Sequence, residues 1–358
     1  MILQRIALGN YRNYQARDFD LDAAGNLIIG PNGCGKTNLL EAIAYCGIGR
    51  SIRGHKDEDL LMHGTSYWQI NAGFITDNER SLQVGMAWGD GRKLLRLNGV
   101  PAKQLSSLFD QVKTIYCAPQ EPLLINGSPR LRRQYFDLAI SQLYPGYIPL
   151  LRELNHVVSQ RNALLKGSWD AKQKESWDLS LIKANQDVLT FRMKYLELIN
   201  KALAEGPGFV APLAQKPQLR YLPVIKDSTT LDAESLLYLV QKMEAREKHW
   251  QRSLFGAHLD DWDFYLDGRA MKSFASQGQK QMVAIALKLL QARLIKEVTG
   301  IKPVLLLDDV FAELDSYHSQ KIRDLVNDGL QVLVASPRAD IASEWPMLKP
   351  LKGFGAKA

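Results

Sequence analysis

The beginning of the chain has the hydrophobic and polar pattern of β-strands. Residues 2–8 alternate between apolar and polar positions, as a strand with one buried face does. Residues 19–21 lead into a continuous apolar run, Leu27–Ile29, which is typical of a buried strand. We interpret residues 2–8 and 19–21 as a two-strand start to a mixed sheet.

Three further β-like runs follow one another, with turn-forming residues between them. The turns are Asp77-Asn78 and Gly89-Asp90-Gly91, and short runs joined by such turns predict an antiparallel meander. The runs are residues 68–76, 81–87 and 93–97. A further apolar strand is predicted over residues 112–117.

The middle of the chain changes to a mostly helical pattern. Two segments, about 147–166 and 176–204, flank Gly167-Ser168 and can pair as an antiparallel helical hairpin. A linker rich in proline, a strand-like run and a helix then follow, at residues 207–217, 219–225 and 233–250. We therefore expect an inserted, mainly helical lobe over residues 129–250. The α/β head is expected to combine residues 1–128 and 251–358.

Composition and charge indicate which classes of protein the chain fits and which they argue against. The 358 residues are 46% hydrophobic, which allows an ample core, and a net charge of +7 fits an anionic partner such as nucleic acid. The cysteines have no metal-ligand spacing, which argues against a structural zinc or a disulfide framework. They are Cys34, Cys46 and Cys117. Without a signal peptide or a long apolar run, the chain is expected to be cytoplasmic.

Residues 30–37 have the spacing of a phosphate-binding loop: Gly, four residues, then Gly-Lys-Thr. The glycines allow the backbone to wrap around a polyphosphate, and the following helix directs its first N–H groups and its dipole at the phosphates. Lys36 can reach the β/γ oxygens, and Thr37 can ligate Mg²⁺. The alternative is a glycine-rich turn with an incidental lysine. The candidate ATP-binding residues are Gly30, Pro31, Asn32, Gly33, Cys34, Gly35, Lys36, Thr37 and Asn38.

A second apolar run near the C-terminal end stops at two carboxylates. Residues 303–307 are followed by Asp308 and Asp309, and an aspartate at the end of a buried strand can hold Mg²⁺ beside the phosphate loop. The next carboxylate can orient or deprotonate the attacking water. Gln120, at the end of the 112–117 strand, can also reach Mg²⁺ and the γ-phosphate. Taken alone, these residues could instead be strand-end acids and a turn residue.

A Ser-Gln-Gly-Gln segment, residues 276–279, opens a strongly helical stretch. Ser276 and the backbone near Gly278 form a second anion cradle at a helix start.

The order of these motifs resembles the ABC-type ATPases of the SMC-like branch, and within it the RecF family of bacterial recombination and gap-repair proteins. The closer resemblance rests on four segments and covers nearly the whole chain. They are Asn10-Tyr-Arg-Asn-Tyr14, residues 32–43, Gly49-Arg-Ser-Ile-Arg-Gly54 and Asn126-Gly-Ser-Pro-Arg130, followed by Arg132-Arg133. The resemblance implies an ABC-type P-loop ATPase head with a mixed sheet and an antiparallel meander, plus the inserted helical lobe.

The resemblance also implies a mechanism and partners. Ser276, Gly278 and Gln279 would contact the γ-phosphate of ATP held by a second copy, with Asp315 across the same interface, so that two chains enclose two ATP molecules. The closed homodimer would bind DNA, prefer junctions of single- and double-stranded DNA, and act with RecR and RecO in loading RecA.

Candidate DNA contacts are basic side chains, since lysine and arginine bind phosphates. The candidates are Lys56, Arg130, Arg132 and Arg133. The alternative for each of them is an ordinary solvated surface charge. No base-reading motif is present, so recognition of DNA shape and backbone is expected.

Several positions depart from the family pattern. Ala257 and Leu259 stand where proline and arginine are usual, and Gln281 stands where arginine is common. Ser336 follows a predicted strand where many ABC ATPases carry a switch histidine, and Asp309 stands where transport ATPases have glutamate. Slow ATP turnover is therefore expected. The alternative functions are the ATP-binding subunit of a membrane transporter and a regulatory protein that binds nucleotide without hydrolysing it.

Overall fold

A computed structural model describes residues 1–205, 216–226, 228–311, 320, 323 and 329–354. The described chain divides into two compact units. One contains Met1–Glu121 and the described residues from Gln277 onward, and the other contains the described residues between Pro122 and Ser276. These bounds differ from the predicted lobe of residues 129–250, because the strand after residue 260 pairs within the second unit.

The first unit contains a six-stranded antiparallel sheet in the order β2-β1-β4-β5-β6-β7. The strands are β1 (Ile2–Tyr11), β2 (Tyr14–Asp20), β4 (Tyr67–Ile75), β5 (Ser81–Gly89), β6 (Arg92–Leu97) and β7 (Val100–Pro101). Asp90-Gly91 and Asn98-Gly99 make two-residue turns in which both residues have positive φ, and this backbone twist suits tight hairpins. The predicted meander is confirmed.

A separate five-stranded sheet is parallel throughout, in the order β14-β3-β13-β12-β8. The strands are β3 (Gly25–Ile29), β8 (Thr114–Cys117), β12 (Val304–Asp308), β13 (Val332–Ser336) and β14 (Lys349–Pro350). The antiparallel and the parallel pairings of this unit thus lie in different sheets. β12 and β13 are buried along their whole length, as parallel strands covered on both faces are.

In the part of the first unit that the structure describes, four helices accompany these sheets. They are α1 (Lys36–Ile48), α2 (Leu108–Gln111), α10 (Gln277–Thr299) and α11 (Ile341–Glu344). Short 3-10 helices cover Asp57–Leu60 and Leu105–Ser107. Because β3, β12 and β13 run in parallel, the loops after their carboxyl ends meet at one edge of the sheet, where the binding site is expected.

The second unit is mainly helical and has a small antiparallel sheet in the order β11-β10-β9. Its helices are α3 (Leu123–Asn126), α4 (Pro129–Leu143), α5 (Tyr147–Lys166), α6 (Ala171–Glu205), α7 (Ala233–Lys242), α8 (Glu244–Trp250) and α9 (Met271–Phe274). The strands are β9 (Pro217–Leu222), β10 (Asp261–Leu266) and β11 (Arg269–Ala270). The predicted helix over residues 233–250 is divided at Met243.

Charged side chains buried in this unit join three of its helices. The guanidinium of Arg161 on α5 donates to Asp178 on α6 at 2.7 Å and to Glu247 on α8 at 2.5 Å. All three side chains are buried, and the pairing satisfies charges that would otherwise be costly to bury.

Among the residues described, no helix has both the length and the apolar character needed to cross a membrane.

Candidate functional site

The phosphate-binding sequence forms a loop between β3 and α1, as predicted. Gly33 and Gly35 have φ of 83° and 106°, which side-chain-bearing residues rarely adopt. A Cβ on Gly35 would lie 2.6 Å from Asn13 Nδ2, whereas one on Gly33 would have no neighbour within 4 Å. Gly35 is therefore required by the close approach of the β1–β2 turn, and the backbone at Gly33 is open to an approaching ligand.

The start of α1 is suited to an anion. Its N-cap residue is Gly35, which has no side chain to accept hydrogen bonds from the first helical N–H groups. No acidic residue lies in the first turn. The loop residues Pro31, Asn32 and Gly33 are exposed. The fold thus places the positive end of the helix dipole, which no acidic side chain neutralises, next to an accessible loop backbone. Both features favour the binding of an anion.

Lys36 is buried within the loop. Its Nζ donates to the carbonyl oxygens of Gly30 at 2.7 Å and Pro31 at 2.9 Å. Next to it, the β1–β2 turn braces the loop, since Asn13 donates to the carbonyl of Cys34 and accepts from the amide of Asn38. The motif residues are therefore held by local contacts and by this turn.

The structure brings Thr37 and Asp308 together, although 271 positions separate them in the chain. Thr37 Oγ1 donates to Asp308 Oδ1 at 3.1 Å, where the end of β12 meets the start of α1. A hydroxyl and a carboxylate are hard oxygen ligands of the kind that Mg²⁺ prefers, and Mg²⁺ is usually bound by one or two such groups together with substrate phosphates. The donor set therefore fits a magnesium ion.

The burial of Asp308 is only partly offset by neighbouring donors and cations. Burial raises the pKa of its carboxyl group, while hydrogen bonds from Tyr116 and Thr37 and the charges of Lys36 and Arg53 act in the opposite direction. Burial also raises the pKa of Tyr116, with the Asp308 charge as the next cause, so its hydroxyl stays protonated and donates. These donors and cations partly compensate for the burial of a carboxylate.

Asp309 follows directly in a left-handed backbone conformation, with φ of 51°. Its N–H donates to the carbonyl of Ala335 on β13 at 2.9 Å, so the turn is fixed to the neighbouring strand. Such φ values are uncommon outside glycine, although Asp tolerates them, and they concentrate at functional sites. The chain thus bends sharply between the two adjacent carboxylates.

Gln120 is exposed and lies beyond the end of β8. Within the described part of the chain no hydrogen bond joins it to Thr37 or Asp308. The next residue, Glu121, is more firmly placed. Its carboxylate accepts from the N–H of Ala118 at 3.0 Å and lies 3.3 Å from Lys288 Nζ on α10. The structure therefore brings Gln120 near the carboxyl-end edge but shows no direct contact with the other predicted ligands.

The Ser-Gln-Gly-Gln segment lies at the beginning of α10. Ser276 and Gly278 are exposed and Gln279 is partly exposed. A Cβ on Gly278 would have no neighbour within 4 Å. This exposed helix start is accessible to another molecule. Asp315, the fourth residue expected to act across an interface, lies outside the described residues.

Sequence reasoning missed a cluster centred on Glu41. This α1 side chain is completely buried, and it accepts hydrogen bonds from Arg12 at 3.1 Å and from Ser51 Oγ at 2.6 Å. Arg53 lies 3.8 Å away, and its charge acts on Asp308. These partners lie in segments 10–14 and 49–54, two of the segments that carry the family resemblance. Those motifs were therefore the sequence signal from which the cluster could have been found. Glu41 thus fixes the 49–54 segment near the candidate magnesium ligands.

Sequence reasoning also missed Tyr116, whose hydroxyl donates to Asp308 Oδ2 at 2.7 Å. No motif marks this residue, because the contact depends on how β8 pairs with β12.

The four candidate DNA contacts differ in their environments. Lys56 and Arg130 are exposed. Arg132 is buried, with a two-pronged pair to Asp261 at 2.7 and 2.8 Å, and Arg133 donates to the carbonyl of Asp260 at 2.8 Å. These contacts account for Arg132 and Arg133 within the fold. The DNA roles of all four residues stay predictions.

Comparisons with known proteins place this geometry in a family. The family model described as RecF/RecN/SMC N terminal domain matches residues 2–351. The DNA replication and repair protein RecF of Carboxydothermus hydrogenoformans is 36% identical over 321 residues, which is 88% of each chain. The corresponding protein of Oceanobacillus iheyensis is 30% identical over 348 residues, 94% of this chain and 93% of the relative.

Solved structures agree with these sequence relatives. The structure of the recombination mediator protein RecF with ATP, in the RecFOR pathway, has a TM-score of 0.87 and 28% identity, covering 95% of this chain and 93% of that one. An Smc head bound to the C-terminal winged-helix domain of ScpA has a TM-score of 0.54 at 18% identity, covering 96% and 91%, and it supports the fold alone. The predicted ABC-type ATPase fold is thereby confirmed. The chain belongs to the RecF family of DNA replication and repair proteins, within the RecF/RecN/SMC group.

Proposed function

We propose that the protein is an ATP-dependent DNA-binding protein of recombinational and gap repair that works in the cytoplasm. The observation that carries the proposal is the convergence of Lys36, Thr37 and Asp308 at the carboxyl-end edge of the parallel sheet. The family membership supports the same conclusion, and the relative whose structure was solved with ATP matches almost the whole chain.

The chain's own residues have distinct roles in this proposal. The loop backbone from Gly30 to Gly35 and the N-terminus of α1 bind the phosphates, and Lys36 neutralises charge on the β/γ oxygens. Thr37 and Asp308 hold Mg²⁺, with Gln120 nearby. When bound, Mg²⁺ would neutralise the negative charge that develops on the phosphates. Asp309 orients the attacking water or accepts its proton.

ATP is proposed to join two copies of the chain. Ser276, Gly278 and Gln279 lie at an exposed helix start, and an anion cradle of this kind is incomplete until a partner's phosphate enters it. Asp315 acts across the same interface. The homodimer encloses two ATP molecules, so ATP binding favours the dimer and hydrolysis releases it.

The dimer is proposed to bind DNA through backbone phosphates, which the net charge of +7 and the exposed Lys56 and Arg130 support. Junctions between single- and double-stranded DNA are the preferred substrates, and RecR and RecO are partners in loading RecA. The family supports these assignments.

Hydrolysis is proposed to be slow. Asp309 stands where transport ATPases have glutamate, and β13 ends in Ser336 where many ABC ATPases have histidine. The Oγ of Ser336 accepts from the N–H of Arg338 at 3.1 Å, and its carbonyl accepts from the N–H of Gly30 at 3.4 Å. This position is thus part of the local fold rather than a titratable switch.

Sedimentation velocity tests the proposal. The protein is run with and without ATP and Mg²⁺, then with a gapped DNA duplex, beside the variant Ser276→Arg. We expect ATP to produce a dimer that binds DNA. The arginine side chain should block the partner's phosphate, so the variant should lose both properties while it still binds ATP.

A protein that stays monomeric with ATP and does not bind DNA would contradict the clamp. A Ser276→Arg variant that dimerises normally would remove the signature segment from the interface. DNA binding by the unaided protein also separates this function from that of a transporter subunit.

A further inference from the structure

Tyr116 reaches the candidate magnesium site from a neighbouring strand. β8 and β12 pair in parallel, with Tyr116 opposite Leu306. Asp308 lies two residues beyond Leu306, and side chains two apart on a strand share one face. Tyr116 and Asp308 are therefore diagonal neighbours, close enough for a long side chain to bridge. The phenol hydroxyl donates to Asp308 Oδ2 at 2.7 Å.

The two oxygens of Asp308 have different partners. Oδ1 accepts from Thr37 and Oδ2 accepts from Tyr116, at 3.1 and 2.7 Å. One hydrogen bond would leave the carboxylate free to rotate about its last torsion. Two bonds, one to each oxygen, fix its plane, so that Oδ1 stays on the side of Thr37.

The backbone at Tyr116 is held as well. Lys288 Nζ on α10 donates to the carbonyl oxygen of Tyr116 at 3.0 Å and lies 3.3 Å from the carboxylate of Glu121. The strand pairing on one side and this lysine on the other keep the tyrosine backbone in place. The hydroxyl therefore approaches Asp308 from a fixed position.

We propose that Tyr116 is a positioning residue, which orients the Asp308 carboxylate so that this side chain and Thr37 can hold Mg²⁺ together. The inference rests on the proposed ATP site. Tyr116 acts through Asp308, because its hydroxyl donates a hydrogen bond to that carboxylate. Preorganisation of a ligand by a neighbouring hydrogen bond commonly contributes to metal affinity.

The test compares Tyr116→Phe with Tyr45→Phe. Tyr45 is buried, whereas Tyr116 is partly buried, and it likewise donates to a carboxylate, Asp57 Oδ1, at 2.5 Å. The control therefore removes the same atom from a bond that does not involve Asp308. Affinity for a fluorescent ATP analogue is measured in excess Mg²⁺ and in excess EDTA. Thermal unfolding confirms that both variants are folded.

We expect Tyr116→Phe to reduce the Mg²⁺-dependent gain in nucleotide affinity by roughly ten- to a hundredfold, the effect of losing a hydrogen bond that orients a metal ligand. Its affinity in EDTA should equal that of the parent, because Lys36 and the loop backbone remain intact. Tyr45→Phe should keep the full gain. A general loss of structure would instead lower affinity in both buffers.

Each outcome has a distinct meaning. If the parent shows no Mg²⁺-dependent gain, the proposed site fails and this inference fails with it. If the parent shows the gain and Tyr116→Phe retains it, only the role of Tyr116 is overturned. As a second test, Tyr116→Phe combined with Asp308→Asn should lose no more than Asp308→Asn alone, and additive losses would contradict action through Asp308.

Discussion

At the scale of single residues, Glu41 is the side chain that holds two segments, 10–14 and 49–54, next to the candidate site. Its carboxylate is completely buried, and it pairs with Arg12 at 2.9 Å and accepts from Ser51. Both partners come from segments that lie outside α1. A buried carboxylate is tolerated only with such compensation.

Glu41→Gln should lower the free energy of unfolding by about 3 kcal/mol, because it leaves the Arg12 guanidinium without its anionic partner in a largely buried position. Urea denaturation measures the change. The control is Glu58→Gln, which breaks an exposed pair with Lys56 and should have little effect. Equal stability of the two variants would contradict a structural role for the buried charge.

The contrast between Glu41 and Lys36 shows what local sequence contains. Lys36 is identified by its spacing from Gly30 and Gly35, since the loop that binds phosphate is continuous in the chain. In the sequence, nothing distinguishes Glu41 from an ordinary polar residue on a helix. The packing of the 10–14 and 49–54 segments places Arg12 and Ser51 around it. The motifs in those segments mark the partners but do not indicate that they contact Glu41.

At the scale of elements, the segment between α8 and β10 places a histidine inside the second unit. His258 Nδ1 is buried and, within the described structure, has no hydrogen-bond partner. Burial lowers the pKa of His258 to about 4, and the charges of Arg133, Arg192 and Arg161 act in the same direction. The folded chain therefore keeps this imidazole neutral.

Stability should consequently depend on pH. In the unfolded chain a histidine has a pKa of about 6.5, so between about pH 4 and pH 6.5 the unfolded state binds more protons than the folded state. Stability is then lost as the pH falls through this window. His258→Gln removes the titrating group, and it should reduce the loss between pH 7.5 and pH 5 by about 2 kcal/mol.

Urea denaturation at both pH values measures this effect. The exposed His156 provides the matched control, and His156→Gln should leave the pH dependence of stability unchanged. An identical pH dependence in the parent and in His258→Gln would show that other groups cause it.

The strands and their pairing could be predicted from the sequence to different degrees. Alternation and turn residues predicted the meander, because hairpins form between neighbours in the chain. The division into one antiparallel and one parallel sheet was not predicted. β3 pairs with β13, about three hundred residues away, and pairing over such a distance leaves no periodic signal. The same applies to the Tyr116–Asp308 contact, which follows from the pairing of β8 with β12.

At the scale of the whole molecule, the Ser-Gln-Gly-Gln segment has a role in the proposed function only when a second copy is present. The phosphate loop and Asp308 converge within one chain, whereas the segment at Ser276–Gln279 lies on the surface at a helix start. A site that is completed by association allows ATP to control assembly. In the proposed dimer, the rate at which Asp309 acts would determine how long the assembly lasts.

Asp309→Asn should separate assembly from its release. Asparagine has the same size and tolerates the left-handed backbone at this position, so ATP binding and dimerisation should persist. The amide cannot accept a proton from water, and hydrolysis should fall by about a hundredfold or more. Sedimentation after ATP addition should show a dimer that outlasts the parent's dimer.

Lys36→Arg is the opposing variant, since its bulkier head should impair phosphate binding and keep the chain monomeric. An Asp309→Asn dimer that decays as fast as the parent's would show that hydrolysis does not time the release.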